Sequence, residues 1–392
     1  MDLFVRSRWR WLALSPSRAA AFEVEAGFPG GNVATPRRVS SRHLQFAAAA
    51  HDSPHPLWFY FRVDGAPGPQ LCCELVNADA CLGPPLGWRT ARPVYSPDGV
   101  NWKRVDAGDY LERRGSFRFQ VPVAGKSVWI AYCYPYTVAD LNRFLDRLPA
   151  AATVSELCRS DGGRAVPYVC LGGQDSPRSA IWVLARQHAG ESPASFTVEG
   201  LLDGLAGFGA DELRHTAFHI VPMLDVDGVE EGRFGKDQAP VDFNRDWHET
   251  PSWPAVRAVI ERIRSSRAKS PIELVLDLHA PHHGDPACYF FSSRSEVIGK
   301  ESYQTQRRFL EFLGRDMPQK VGFCPTDFRE SPPPPGSARQ YLAGEAQAPV
   351  LTLEMSYHQA QSKQYLTPAD YRAFGLALAR AAARLLSERT PA

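Results

Sequence analysis

Between about residue 21 and residue 135 the apolar positions fall in short or alternating runs. Leu57-Trp58-Phe59-Tyr60-Phe61-Arg62-Val63, Phe117-Arg118-Phe119-Gln120-Val121 and Ser127-Val128-Trp129-Ile130-Ala131-Tyr132 are separated by turn-rich stretches such as Ser96-Pro97-Asp98-Gly99. Aromatic and β-branched residues in such runs suit short strands, so this part predicts an all-β sandwich. The period changes at 138–148, where Leu141, Phe144, Leu145 and Leu148 recur at three- and four-residue spacing and predict a helix at a hinge between two domains. Beyond residue 160 the pattern predicts strands at 180–186, 216–224, 272–278 and 350–355. Helices are predicted at 193–205, 256–265, 305–313 and 368–386, and proline at the first helical position marks starts such as Ser192-Pro193 and Thr367-Pro368. Strands alternating with helices make this second part an α/β domain, with expected boundaries 1–148 and 149–392. The run Pro332-Pro333-Pro334-Pro335-Gly336 fits neither a central strand nor a helix interior and predicts an exposed, semi-rigid loop.

Composition narrows the partners. The chain has 392 residues, 44% hydrophobic and 22% charged, enough to bury a substantial core in two domains. Lys+Arg is 44 against Asp+Glu 43, a net charge of +1, which gives no global attraction to nucleic acid or to an anionic membrane. The eight cysteines form no CxxC pair and no regular framework, so buried free thiols are expected. Early arginines (Arg6, Arg8, Arg10) precede an apolar run from Trp11, but Ser15, Pro16 and Arg18 break it too soon for a secretory segment. These features predict a cytoplasmic protein with no membrane span, and an oligomer is compatible with them.

Four segments carry candidate chemistry. His188-Ala189-Gly190-Glu191 stands where an apolar strand ends and a helix opens, and its spacing lets an imidazole and a carboxylate turn to one point, as a zinc site needs. Alone, it reads equally as a surface histidine and a glutamate at a helix start. Glu273-Leu274-Val275-Leu276-Asp277-Leu278-His279 is a strand whose alternation puts Asp277 and His279 on one face, followed by His282 and His283. Here the bland alternative is a satisfied polar residue at a strand end. Asp242-Phe243-Asn244-Arg245-Asp246 offers a guanidinium fork and a carboxamide for a carboxylate, or else an ordinary Arg245–Asp246 ion pair. Glu354 sits on the apolar strand Val350-Leu351-Thr352-Leu353-Glu354, where an unpaired carboxylate is costly and calls for a cation or a catalytic duty. GxSxG, GxxxxGK[ST] and GxGxxG are all missing.

Taken in this order, the four segments resemble the zinc carboxypeptidase family, and within it the cytosolic, deglutamylase-like branch. Trp58-Phe59-Tyr60-Phe61-Arg62-Val63 and Ala131-Tyr132-Cys133-Tyr134-Pro135-Tyr136-Thr137 resemble the sandwich that precedes the catalytic domain in that branch, and Gly190 before Glu191 matches it too. The resemblance implies an antiparallel β-sandwich followed by an α/β domain with a mixed central sheet flanked by helices. It implies one zinc per chain, held by His188, Glu191 and His279, with Glu354 as general base. Asp242 would orient a ligand histidine, with Asp277 as rival for that duty by strand geometry. Asn244 and Arg245 would grip the substrate's free carboxylate.

The chain also departs from the family. The arginine expected to polarise the scissile carbonyl should lie between Asp227-Gly228 and Asn244, where only Arg233 and Lys236 stand, and Arg233 is the assignment. Tyr341 is the candidate for the family's mobile tyrosine. Arg339, fifteen positions before Glu354, lies close to where the family places the base of the pocket for the C-terminal side chain. An arginine there implies an acidic side chain, glutamate before aspartate; the other reading is a solvated loop arginine. The expected activity is hydrolysis of acidic residues from peptide or protein C-termini. Alternatives are a zinc amidoacyl hydrolase of the aspartoacylase and succinylglutamate desuccinylase type, and a non-catalytic binder with a vestigial zinc site.

Overall fold

The computed structural model describes residues 22–66, 68–173, 177–208, 213–324, 326 and 328–387; the early arginines and the apolar run from Trp11 lie outside them. The chain divides into two compact units. One takes the described residues through Thr137 together with Gly228–Phe234 and His282–Gly284. The other takes Val138–Asp227, Gly235–Pro281 and the described residues from Asp285 onward.

The first unit holds ten strands: β1 (Glu23–Glu25), β2 (Ala34–Ser40), β3 (His43–Ala47), β4 (Tyr60–Asp64), β5 (Gln70–Leu75), β6 (Val94–Ser96), β7 (Lys103–Arg104), β8 (Gly108–Leu111), β9 (Ser116–Pro122) and β10 (Ser127–Ala131). They form two five-stranded sheets, in the orders β1-β4-β10-β6-β7 and β2-β3-β5-β9-β8. Their inner faces meet through aromatic rings. Phe46 of β3 lies 4.8 Å from Phe61 of β4, and Phe59 stacks on Phe119 of β9 at 6.3 Å. Pairing is antiparallel apart from β3 with β5, which run parallel because the chain between them passes through β4 in the other sheet.

The second unit contains α1 (Val138–Leu145), β11 (Ala152–Arg159), β12 (Ala165–Gly172), β13 (Ser179–Ala185), α2 (Pro193–Ala206), β14 (Thr216–Val221), then α3 (Val226–Glu231), which begins here. The rest is α4 (Pro254–Arg267), β15 (Ile272–His279), β16 (Tyr289–Ser292), α5 (Ser295–Asp316), β17 (Phe328–Glu330), α6 (Ala338–Ala346), β18 (Val350–Glu354) and α7 (Pro368–Ser387). Eight strands make one mixed sheet, β11-β12-β14-β13-β15-β18-β16-β17. Its centre, β14-β13-β15-β18, is parallel. Ile181, Trp182, Val183 and Leu184 of β13 are all fully buried, so helices cover both faces of the sheet, which explains the unbroken apolar runs. Two helix groups do this, α2 with α5 and α7, and α4 with α6. An open α/β sheet of this kind presents binding groups beyond the carboxyl ends of its parallel strands. That is where β13, β15 and β18 deliver His188 and Glu191, His279, and Glu354.

Candidate active site

His188 and Glu191 lie in the tight connection between β13 and α2, where Glu191 N donates to His188 O at 3.2 Å. Both are buried, which sets aside the surface-histidine alternative. The loop is pressed from one side by Gly235, whose backbone has φ +95; a Cβ there would stand 2.7 Å from Ala189 N, so the approach requires glycine. His188 turns Nδ1 to Glu191 Oε1 at 2.9 Å and Nε2 to Asp242 Oδ1 at 3.1 Å. Asp242 is itself fixed, accepting from Asp237 N at 2.7 Å and Asn244 N at 2.6 Å.

His279, the last residue of β15, repeats the arrangement. Its Nδ1 meets Glu191 Oε2 at 2.8 Å and its Nε2 meets Asp277 Oδ2 at 3.0 Å. Asp242 and Asp277, rivals for one duty on sequence grounds, therefore each hold a different histidine. Asp277 Oδ1 accepts from Gln187 Nε2 at 2.7 Å, and Gln187 Oε1 accepts from Trp247 Nε1 at 2.8 Å. No sequence signal marks Gln187 or Trp247 as members of this relay.

Electrostatics bind the group together. Burial alone would lower the His188 imidazole, but the Asp242 and Glu191 carboxylates outweigh it and raise it to about 9. Burial would raise Glu191, yet His188, Lys236 and His279 hold it well below the usual carboxylate range. For Glu354 burial wins and the carboxyl is raised, against the opposing charges of Lys236 and His279. Its Oε2 is buried and has no hydrogen-bond partner among the described residues. An isolated buried acceptor is costly, so this atom is set up for a group that arrives from outside.

The donor set fits zinc. The two Nδ1 atoms are 3.2 Å apart and each meets a different oxygen of Glu191. A tetrahedral zinc with bonds of ~2.0–2.2 Å keeps its donors about 3.4 Å apart, close to this triangle. Among the described residues His188, Glu191 and His279 form a buried group whose ligand atoms all lie within 4.8 Å of one another. Two imidazoles and a carboxylate, with each far nitrogen tied to a carboxylate, form the usual setting of that ion.

The remaining sequence assignments fall in different places. Asn244 approaches His279 Nε2 with Nδ2 at 3.2 Å and accepts from Ala338 N at 2.8 Å. Arg245 is exposed, and its NH1 donates to Asn244 O at 2.7 Å. Asp246 accepts instead from Ser252 N at 3.0 Å and Trp253 N at 2.8 Å at the start of α4, so the proposed Arg245–Asp246 pair is not formed. Gly336, at the end of the proline run, has φ +71, and a Cβ on it would lie 2.4 Å from Arg245 O.

Arg339, the second residue of α6, is buried, not a solvated loop residue; it donates to Ser292 O and Ser331 O, both at 2.9 Å, and to Ser331 Oγ at 3.1 Å. Tyr341 is held on α6 by Glu249 at 2.9 Å and Arg264 at 3.0 Å rather than joining the histidines. Arg233 belongs to the first unit, where Asp52 takes it at 2.6 Å and Glu231 at 2.6 Å. Lys236 is the cation the structure brings to the cluster: its Nζ is 3.1 Å from Glu191 Oε1 and 3.0 Å from Ala280 O. His283 stacks on Trp88 at 4.5 Å in the first unit and takes no part.

Comparison with known proteins agrees with this geometry. Residues 24–133 match the family model described as cytosolic carboxypeptidase N-terminal domain, and residues 137–362 match the model described as zinc carboxypeptidase. Cytosolic carboxypeptidase 3 of Bos taurus is 26% identical over 80% of this chain, which spans only 35% of that relative. Cytosolic carboxypeptidase 6 of Caenorhabditis elegans is 25% identical over 91% of this chain and 85% of its own length. Among solved structures, a metallo-carboxypeptidase from Burkholderia cenocepacia superposes with a TM-score of 0.81 at 26% identity, covering 94% of this chain and 100% of that one.

Proposed function

The chain belongs to the zinc carboxypeptidase family, and from that premise we propose that it is a cytoplasmic exopeptidase removing acidic C-terminal residues, glutamate before aspartate, from peptides or proteins. The observation that carries this reading is the convergence of His188, Glu191 and His279 together with a buried oxygen of Glu354 that has no hydrogen-bond partner among the described residues. In support of the location, no helix among the described residues is long and apolar enough to cross a membrane, and no disulfide is formed among the described residues.

His188, Glu191 and His279 would hold one zinc ion, with Asp242 and Asp277 keeping the two imidazoles turned toward it. Zinc in that position supplies Lewis acidity to the reacting oxygens. Glu354 takes a proton from the attacking water and passes it to the leaving nitrogen; its raised carboxyl suits holding a proton between the two steps. Arg245, exposed and without a carboxylate partner among the described residues, receives the substrate's free carboxylate beside Asn244. Requiring that carboxylate confines cleavage to a chain end.

Arg339 sets the side-chain preference. It is a buried guanidinium bonded to carbonyl and hydroxyl oxygens, with no carboxylate within 4.0 Å among the described residues. Burial lowers its proton affinity while Asp277 and Glu354 oppose that. A buried cation lacking a counter-ion favours a ligand that brings one, here an acidic side chain. The test is a side-by-side assay of Glu-terminated peptides and N-acyl amino acids with the zinc-loaded protein. Release of glutamate from the peptides supports the reading, and turnover of N-acyl amino acids alone would replace it with the amidoacyl hydrolase.

A further inference from the structure

We propose that Gln187 and Trp247 are positioning residues of the metal centre: acting through Asp277, they fix the ring of His279 and so set how tightly the site holds zinc. The proposal deepens the reading above and rests on its zinc assignment, not on the choice of substrate. Three observations lead to it. First, the chain from Trp247 to His279 is continuous. Trp247 Nε1 donates to Gln187 Oε1 at 2.8 Å, Gln187 Nε2 donates to Asp277 Oδ1 at 2.7 Å, and Asp277 Oδ2 meets His279 Nε2 at 3.0 Å. Second, all four residues are buried, where bulk solvent does not replace a lost hydrogen bond. Third, Gln187 directly precedes His188 in the chain. One residue therefore reaches both imidazoles, carrying His188 on its backbone and holding the partner of His279 with its amide.

The donor inventory fixes the direction of this chain. An indole nitrogen only donates and an ionised carboxylate only accepts, so the Gln187 amide fits between them in one orientation. Held at Oδ1, Asp277 keeps Oδ2 toward His279. A proton on Nε2 shared with that oxygen leaves Nδ1, which faces Glu191 Oε2 at 2.8 Å, as the nitrogen for the metal. The amide nitrogens of Gln187 and Asn244 also stand 3.3 and 3.2 Å from His279 Nε2, which leaves the ring little room to turn. Trp247 is anchored in turn by its backbone N, which donates to Gly336 O at 3.0 Å. The other histidine is held differently: its partner Asp242 accepts from the backbone N–H groups of Asp237 and Asn244. One imidazole thus depends on a local turn and the other on side chains distant in sequence.

That difference supplies the test. Gln187→Met keeps the side-chain length and removes both polar contacts, whereas Trp247→Phe keeps an aromatic ring and removes the N–H. Zinc affinity, read by competition against a chelator, should fall about tenfold in Gln187→Met, the lower end of the range for groups behind a zinc ligand. In Trp247→Phe it should fall about threefold, as for one neutral hydrogen bond. The visible spectrum of the cobalt-substituted protein, which responds to ligand arrangement, should change in Gln187→Met in the same direction as in Asp277→Ala. Combined with Asp277→Ala, Gln187→Met should add less than about twofold, because its intermediary is gone; combined with Asp242→Ala, it should keep its full effect. Lowered thermal stability with zinc affinity and cobalt spectrum unchanged would overturn the proposal, and so would a Gln187→Met loss undiminished beside Asp277→Ala. If Gln187→Met does not fold, Trp247→Phe decides alone, and zinc affinity equal to wild type in it counts against the proposal. A wild-type protein that takes up no zinc would overturn the metal assignment itself, a different outcome from a zinc protein indifferent to both substitutions.

Discussion

His279 and Glu354 are register partners at the ends of the adjacent parallel strands β15 and β18. Neighbouring strands lie about 4.8 Å apart, so this pairing alone sets an imidazole and a carboxylate side by side without any loop to position them. Tyr289 of β16 is the register partner of Glu354 on its other side. This proposed catalytic pair is therefore built into the sheet, while His188 and Glu191 come from the connection after β13.

Because Glu354 is not among the three residues whose ligand atoms converge, Glu354→Gln should retain one zinc while losing roughly 10²–10⁴-fold in kcat, the range for a general acid–base group. Metal analysis beside steady-state kinetics reads both. Zinc lost together with activity would mean that Glu354 is a ligand.

Asp242 and Asp277 each hold the far nitrogen of one histidine, at 3.1 and 3.0 Å. Asp242→Asn and Asp277→Asn should each weaken zinc binding about 10–100-fold, by competition against a chelator. His279→Ala should abolish stoichiometric binding altogether. One zinc retained after that change would show that the ligand set is wrong.

Arg339→Ala should reduce kcat/KM for Glu-terminated peptides by at least about tenfold, as for one lost charge-assisted contact, and leave Leu- and Phe-terminated peptides much less affected. An equal loss on all three would reduce Arg339 to a structural residue that carries Ser292 and Ser331.

In the first unit, Glu74 is a buried carboxylate. Burial raises it, but hydrogen bonds from Gln45, Arg118 and Ser116 bring it down to about 2 from 4.5. A folded value below the unfolded one means that the stabilisation is complete above pH 4.5 and is lost as pH falls toward 2. Glu74→Gln should thus cost about 2 kcal/mol at neutral pH, with the gap to wild type closing through that window in urea titrations. A gap that stays constant would contradict the assignment.

The strongest elements were legible because burial left a period to read. β13, β15 and β18 are fully covered and appear as continuous apolar runs, while α2 and α7 open with proline after Ser192 and Thr367. β11 had no such period, since most of it is exposed at the edge of the sheet. The short strand β16 and the nine-residue helix α6 carry too few periodic positions to stand out. In the site, the sequence singled out His188, Glu191, His279 and Glu354 as candidates because their residue types are distinctive, and the family resemblance supplied the roles proposed for them. It led to Arg233 over Lys236, whereas where each of the two falls depends on Gly235 and on partners such as Asp52 that are remote in sequence. Gln187 and Trp247 went unread for the same reason: a relay between uncharged side chains exists only once the strands are paired.

The central claim is that a site built on His188, Glu191, His279 and Glu354 removes acidic residues from chain ends. A scan of peptides differing only in the C-terminal residue, run on purified zinc-loaded protein, tests it most directly. The account predicts release of glutamate first, aspartate next and apolar residues last, with all release abolished when the terminal carboxylate is amidated. Equal release of all residues would contradict the specificity, and cleavage that ignores amidation would contradict the exopeptidase itself.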